Sequence, residues 1–353
     1  MASLCFASIA APAVAASLAL EECQLESGSG SVAARCGTLQ VPEDRSRDDG
    51  KQVRLHIAVV PALRSQPELD ALFILSGGPG QAASDFYVAL AHVFGRIRRD
   101  RDIVVVDQRG TGRSNKLSCP LPDDADLVEI ASTRIQDYTK QCLASLSGDP
   151  RFYTTSVAVR DLEDVRAALG YEKIDLYGVS YGTRVAQHYL KRYPARVRAL
   201  VLDGVVPPQL ALGPRIPIEA QRALDALFDR CENTASCNEA FPKLRDDFDR
   251  LKARLAQAPM EVAIADPLTA APLTVRFGSA EMNGAVRLLS YSDESASILP
   301  LLIHEAHAQN RPQAFAAQYE IIRRDMQDQL AYGMHFSVVC SEDAPRWSAE
   351  DVS

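Results

Sequence analysis

The sequence predicts an α/β protein: an open sheet built largely from parallel strands, with a helical block inserted late in the chain. Three observations carry that prediction. Short apolar runs recur at residues 71–75, 103–106, 174–177 (interrupted by Asp175) and 199–202. Such runs suit strands buried on both faces. Helical spacing fills the intervals between them, and alternating strand and helix implies an open α/β sheet. After Pro207-Pro208 the strand runs almost cease and helical patterns take over.

In chain order, Val53, Leu55, Ile57 and Val59 alternate with Arg54, His56 and Ala58. That period of two is a half-buried strand. Thr38 to Val41, ended by Pro42, is its expected hairpin partner. Val159, Leu162, Val165 and Leu169 share one helical face, with Ser156 as the expected cap and Gly170 as the stop. Val185, Ala186, Tyr189 and Leu190 mark a second helix, closed by Pro194. Beyond residue 217 helices are expected at 220–231, 241–256, 280–290, 295–308 and 313–330. A short hairpin is expected at 261–264 and 273–277. The linear division is an export signal at 1–20, a sheet core at 21–206, a mostly helical cap at 207–333 and the start of a return to the core at 334–353.

Composition narrows the function classes. Hydrophobic residues make up 47% and charged residues 24% of the 353 residues, which is globular rather than disordered. The formal charge of −8 recommends no nucleic-acid partner. Residues Met1 to Leu20 carry no charge and are rich in Ala, with a small-residue pattern at 13–16. They are read as an export signal, with a buried helix as the alternative. No other apolar run is long enough to span a membrane, so no span is expected in the mature chain. Once Cys5 leaves with the signal, seven cysteines remain. Cys23 with Cys36, Cys119 with Cys142 and Cys231 with Cys237 are the close pairs, and Cys340 is left over. Disulfides fit an exported protein. The segment 231–237 lacks the second ligand pair of a zinc site, and no cofactor or metal motif is present, so neither is expected.

The chemistry concentrates at three loops, each after a predicted strand. Gly178-Val179-Ser180-Tyr181-Gly182 is a GxSxG segment between a strand and a helix, the context of a nucleophile elbow. Its glycines leave room for a sharp turn, and Ser180 is the expected nucleophile. Ser76-Gly77-Gly78-Pro79-Gly80 follows the run 71–75. Its backbone, with Gly78 favoured, and the N–H of Tyr181 are the expected oxyanion-hole donors. Residues 107–114, DQRGTGRS, follow the run 103–106. That loop is read as structural, held by Asp107 and the arginines.

Together these segments resemble the α/β-hydrolase fold and, more narrowly, the proline iminopeptidase and tripeptidyl aminopeptidase family of serine peptidases. The matching residues are SGGPG at 76–80, VVVDQRGTGRS at 104–114, GVSYGTR at 178–184, VLDGV at 201–205 and SVVCSED at 337–343. Ser76 stands where iminopeptidases usually carry His, which favours the tripeptidyl-type branch. The resemblance implies an exported enzyme cleaving short peptides from a free N-terminus. In it Ser180 attacks the scissile carbonyl, a histidine takes its proton and an aspartate orients that histidine. It also implies an acidic group for the substrate α-amine, with Glu342 and Asp343 as candidates. An esterase or a non-catalytic binding module on the same scaffold are the other readings.

The family's aspartate lies in a G-x-x-D-x-x-x-P-like segment beyond the cap, and its histidine in a GHG-like turn. Neither occurs here. His188, His304 and His307 fall on predicted helices, His335 is the least poor substitute, and Asp203 ends a strand without having the family acid's position. About 20 residues remain after the cap, too few for further strand–helix units of about 20 residues or more each. The last core strands and the triad partners are therefore expected outside this chain, the alternative being a protein that has lost catalysis. Either way, little or no activity is expected from residues 1–353 alone.

Overall fold

The computed structural model describes residues 18–352, apart from 29, 48 and 120–134. Most of the expected export signal therefore lies outside the described residues. Among them, no helix is long and apolar enough to cross a membrane.

The described residues form nine strands: β1 (Glu21–Ser27), β2 (Gly30–Pro42), β3 (Gln52–Val60), β4 (Ala71–Leu75), β5 (Ile103–Val106), β6 (Ile174–Val179), β7 (Val197–Asp203), β8 (Met260–Ala265) and β9 (Pro272–Phe277). The helices are α1 (Ala83–Leu90), α2 (Gly95–Arg98), α3 (Ile135–Ser145), α4 (Thr155–Leu169), α5 (Tyr181–Arg192), α6 (Arg215–Asn233), α7 (Ala235–Ala240), α8 (Leu244–Gln257), α9 (Ser279–Leu289), α10 (Asp293–Ser297), α11 (Leu299–Ala308), α12 (Gln313–Gln329) and α13 (Tyr332–Val338). The chain forms two compact units. One comprises residues up to Ser118, Leu146–Leu210 and Ala331–Val338. The other comprises Cys119–Ser145, Ala211–Leu330 and the residues from Val339 on.

The first unit holds a seven-stranded sheet in the order β1-β2-β3-β5-β4-β6-β7. β1 to β3 are antiparallel, β3 meets β5 antiparallel, and β5, β4, β6 and β7 run parallel. The expected pairing of residues 38–41 with the strand at 53–59 is present, Leu39 lying opposite Leu55. The continuous apolar runs have a simple cause. In β4, Ala71, Phe73 and Leu75 enter one core, with Val159 and Leu162 of α4 and Val185 of α5. Leu72 and Ile74 enter a second core, with Tyr87 and Val88 of α1. Successive side chains point to opposite faces of a strand, so a strand covered on both faces must be apolar throughout. β7 ends the sheet, and Val201 there is 51% exposed.

Three local expectations change. β1 was not foreseen: only Leu25 of its seven residues is buried, and its pairing to β2 is reinforced by the Cys23–Cys36 disulfide. Ser156 lies inside α4 rather than capping it. Thr154 takes the extended N-cap conformation, while Gly170 closes the helix left-handed at φ +81° as expected. The helix expected at 295–308 is two helices, α10 and α11, meeting at Ile298. Pro300 near the start of α11 has no N–H to continue a ladder from before it.

The second unit is mostly helical around its own core. Leu224, Leu227 and Phe228 of α6, Phe248 and Leu251 of α8, Met282 of α9, Ile303 of α11 and Phe315 of α12 belong to it. The hairpin β8–β9 is antiparallel and pairs Val262 with Val275. This unit also takes in Cys119–Ser145, which contains the Cys119–Cys142 disulfide. The Cys231–Cys237 disulfide joins α6 to α7, and Cys340 is free and exposed. All three close pairs are thus bonded. The chain does not divide in line at 206 and 333: α13 returns to the sheet unit, and the π-helical turn Val339–Asp343 belongs to the helical unit.

One buried charge pair underpins the loop after β5. Arg109 is fully buried. Its guanidinium donates to both oxygens of Asp161, at 2.5 and 2.7 Å, and to the carbonyls of Pro42, Glu43 and Phe152. Arg45 pairs with the same carboxylate. Removing one member of a buried pair leaves an uncompensated charge. Asp161→Ala should therefore lower stability by about 3–5 kcal/mol. Chemical denaturation checks this, and a loss below about 1 kcal/mol would show that Arg109 is held by its carbonyl acceptors alone.

Candidate active site

Ser180 sits between β6 and α5 with φ +53° and ψ −122°. A non-glycine residue there is strained, and such strain persists only where the surroundings over-determine it. Here the surroundings are backbone. The Ser180 N–H donates to the Asp203 carbonyl at 2.8 Å, and its own carbonyl accepts from the Thr183 hydroxyl at 2.6 Å. Thr183 in turn accepts the Val206 N–H at 2.8 Å. The turn is thereby tied to β7 and to the chain that leaves it. Ser180 itself is exposed.

The two flanking glycines are required by packing. A Cβ on Gly182 would overlap the Leu75 carbonyl oxygen and lie 2.7 Å from that of Ser76. A Cβ on Gly178 would lie 2.5 Å from the Gly182 carbonyl oxygen. Both obstacles are main chain, so no side chain can swing aside. The x-positions differ: Tyr181 is buried, and its hydroxyl lies 2.7 Å from the Thr155 hydroxyl and 3.4 Å from Gln108 Nε2. The residue after the nucleophile is thus anchored through its phenol.

The 76–80 loop lies against this elbow. A Cβ built on Gly77 would stand 3.1 Å from Ser180 Cβ and 3.6 Å from its Oγ. Gly77 is therefore the loop residue whose small size admits the serine, a contact the sequence alone did not single out. Gly78 follows at φ +108°. The Ser76 hydroxyl closes the loop by donating to the Gln81 carbonyl at 2.7 Å.

The 107–114 loop is structural, as its composition suggests. Asp107 is completely buried and accepts the N–H groups of Ser84 and Arg113, both at 3.0 Å, with His56 Nδ1 at 3.5 Å. Ser84 lies in α1, which follows the 76–80 loop, so this carboxylate joins two neighbouring loops. Burial pushes the Asp107 carboxyl up, but His56 and the two N–H donors outweigh it and hold it below the usual carboxylate range. A depressed carboxyl stabilises the fold above its unfolded pKa, and that contribution fades as pH falls through the folded value. Asp107→Asn is expected to cost about 1–3 kcal/mol at neutral pH, because its NH2 would face a donor. The gap from wild type should close below about pH 4. Thermal melts across pH test this, and a constant gap would refute the charge argument.

The remaining candidates are dispersed. Asp203 at the end of β7 accepts the Tyr177 hydroxyl at 2.6 Å. Burial and that carboxylate push the Tyr177 phenol above its ordinary range. His304 and His307 on α11 both face Asp247, at 3.8 Å. His335 turns its Nδ1 to the Pro79 carbonyl at 3.0 Å. Glu342 and Asp343 belong to the helical unit. Asp343 is fully buried there and accepts the Leu212 N–H at 2.9 Å and Arg346 at 3.0 Å. Among the described residues no group of three or more His, Cys, Asp or Glu side chains is arranged to hold a metal.

Comparison with known proteins agrees with this geometry. The model of the alpha/beta hydrolase fold matches residues 70–296. Serine protease Hip1 of Mycobacterium tuberculosis is 31% identical over 206 residues, covering 53% of this chain and 38% of that protein. The tripeptidyl aminopeptidase of Streptomyces lividans is 28% identical over 251 residues, covering 64% and 47% respectively. Carboxylesterase B of M. tuberculosis is 34% identical over 198 residues, covering 50% and 37%. The chain thus spans less than half the length of these relatives. With the family match extending over more than half of its residues, and a strained serine at the elbow that the match encloses, this chain belongs to the alpha/beta hydrolase fold family.

Proposed function

We propose that the protein is an exported serine aminopeptidase that releases short peptides from free N-termini through an acyl-enzyme. The observation that carries this reading is Ser180, exposed on a strained strand–helix turn with the Gly77 backbone against its side chain. Ser180 Oγ attacks the scissile carbonyl and a histidine general base takes its proton. The N–H groups of Gly78 and Tyr181 hold the oxyanion, each donor contributing about 3–4 kcal/mol in the transition state. Collapse expels the amine and water then releases the acyl group. Neither the segment that carries the family's general base nor the one that carries its aspartate occurs in residues 1–353, which are accordingly proposed to turn over little or no substrate.

The peptide reading is supported by the similarity to a serine protease and a tripeptidyl aminopeptidase. Three disulfides support the exported setting. Glu342 is the preferred partner for the substrate amine, since it is half-buried whereas Asp343 is fully buried. Glu342→Gln should raise KM for free-amine tripeptide amides at least about tenfold more than for N-blocked ones, the loss of one charge-assisted contact. Equal effects on both would remove the amine role. An esterase is the second reading, favoured by the similarity to Carboxylesterase B. Tripeptide amides compared with short acyl esters separate the two: esters cleaved without any peptide turnover would sink the aminopeptidase.

A further inference from the structure

Helix α13 is brought to the elbow's side of the first unit from more than 130 residues beyond the GxSxG segment. Ala331, Met334 and Val338 are fully buried in the main core. The Gly333 N–H donates to the Leu117 carbonyl at 2.9 Å, and a Cβ at Gly333 would lie 2.7 Å from that oxygen. Met334 Sδ packs where a side chain on Gly110 would stand. This platform then makes two contacts with consecutive carbonyls of the 76–80 loop. The Ala331 N–H donates to Gly80 at 2.9 Å, and His335 Nδ1 lies 3.0 Å from the Pro79 oxygen. A carbonyl only accepts, so Nδ1 carries the proton.

We infer that His335 is a positioning residue for the oxyanion loop: its Nδ1–H fixes the Pro79 carbonyl and with it the Gly77–Gly78 backbone beside Ser180. The inference rests on the proposed Ser180 chemistry and deepens it. The loop also closes on its own atoms, through the Ser76 hydroxyl to Gln81 and a long Gln81 N–H to Gly77 contact at 3.4 Å. Its Ser76 end is set beside the elbow by the β4–β6 ladder, Leu75 lying opposite Gly178. The bonds to α13 hold its Pro79–Gly80 end, because α13 is anchored in the main core. An oxyanion donor acts only when it is preorganised at hydrogen-bonding distance from the developing charge. A loop free to drift loses turnover more than ground-state affinity. This is a different role from a general base, which needs an unprotonated nitrogen facing the serine.

Three variants of the protein separate these roles. Asn carries its amide nitrogen close to the position of Nδ1, Gln close to that of Nε2, and Leu carries neither. If His335 holds the loop, His335→Asn retains kcat within about threefold, while His335→Gln and His335→Leu lose about 10–100-fold in kcat with KM changed less than about threefold. The rate of Ser180 phosphonylation by a fluorophosphonate should fall in the same order. Melting temperatures of the Asn and Gln variants, both polar and of similar bulk, guard against an effect of stability alone. Equal activity of all three variants, or loss in Gln that tracks its melting temperature, would overturn the proposal. Complete inactivity of all three, Asn included, would overturn it in favour of a general base at His335. Failure of the underlying Ser180 reading has its own signature: undiminished turnover in Ser180→Ala, measured beside them.

Discussion

Ser180→Ala is expected to lower turnover by about 10⁶-fold and to abolish fluorophosphonate labelling. Among the described residues the nearest hydroxyls are already engaged. Thr183 spends its hydroxyl on the Ser180 carbonyl and the Val206 N–H, and the Tyr181 phenol is buried against Thr155. A second substitution reads the strain directly. The backbone at φ +53° and ψ −122° penalises any residue with a Cβ. Ser180→Gly should therefore be as inactive as Ser180→Ala yet more stable than it by about 1 kcal/mol, part of that gain being offset by the flexibility of glycine in the unfolded chain. The order of melting temperatures, Gly above Ala, is measurable on residues 1–353 without any activity. An Ala variant as stable as Gly would mean that the turn carries no strain, and residual activity near wild type would remove Ser180 as nucleophile.

Gly182→Ala is expected to be the most damaging single methyl addition in the sheet unit. The new Cβ would overlap the carbonyl of Leu75 in β4. β4 is hydrogen-bonded to β5 on one side and β6 on the other, so it moves only if ladder bonds break. Overpacking of this kind, against main chain in a central strand, should cost more than about 3 kcal/mol. Loss of soluble yield or a fall in melting temperature reads it out. Gly170→Ala is the matched control. It also has positive φ, at +81°, but nothing lies within 4 Å of its Cβ position. Its cost should be only the backbone preference, about 1 kcal/mol. If the two variants were equally stable, close approach at Gly182 would not be the reason for its glycine.

These comparisons bear on how far the sequence was readable. The four runs became β4, β5, most of β6 and most of β7; β4 and β5 are apolar throughout because strands covered on both faces have no choice of polarity, whereas β6 carries Asp175 and β7 ends the sheet with Val201 exposed. β1 was invisible for the opposite reason: its residues face solvent except at Leu25, and its order comes from pairing and a disulfide. The GxSxG segment was legible because a sharp turn between strand and helix excludes side chains at fixed positions, a constraint that lies within five residues. The split at Ile298 depended on Pro300, and the extent of α4 on a cap residue whose side chain makes no capping bond.

What sequence by itself determined, then, was everything set by local sterics and by the period of burial: the parallel strands, the elbow at Ser180, the left-handed stop at Gly170 and the structural loop at 107–114. Tertiary structure alone decided which distant groups meet. It put Gly77 rather than a neighbour against Ser180, tied Tyr181 to Thr155 and Gln108, returned α13 to the sheet unit and aimed His335 at the Pro79 carbonyl. No periodicity encodes a contact across more than 250 residues. It arises from how packed elements stack, and the energy that fixes it belongs to the core residues beneath the site rather than to the residues in it.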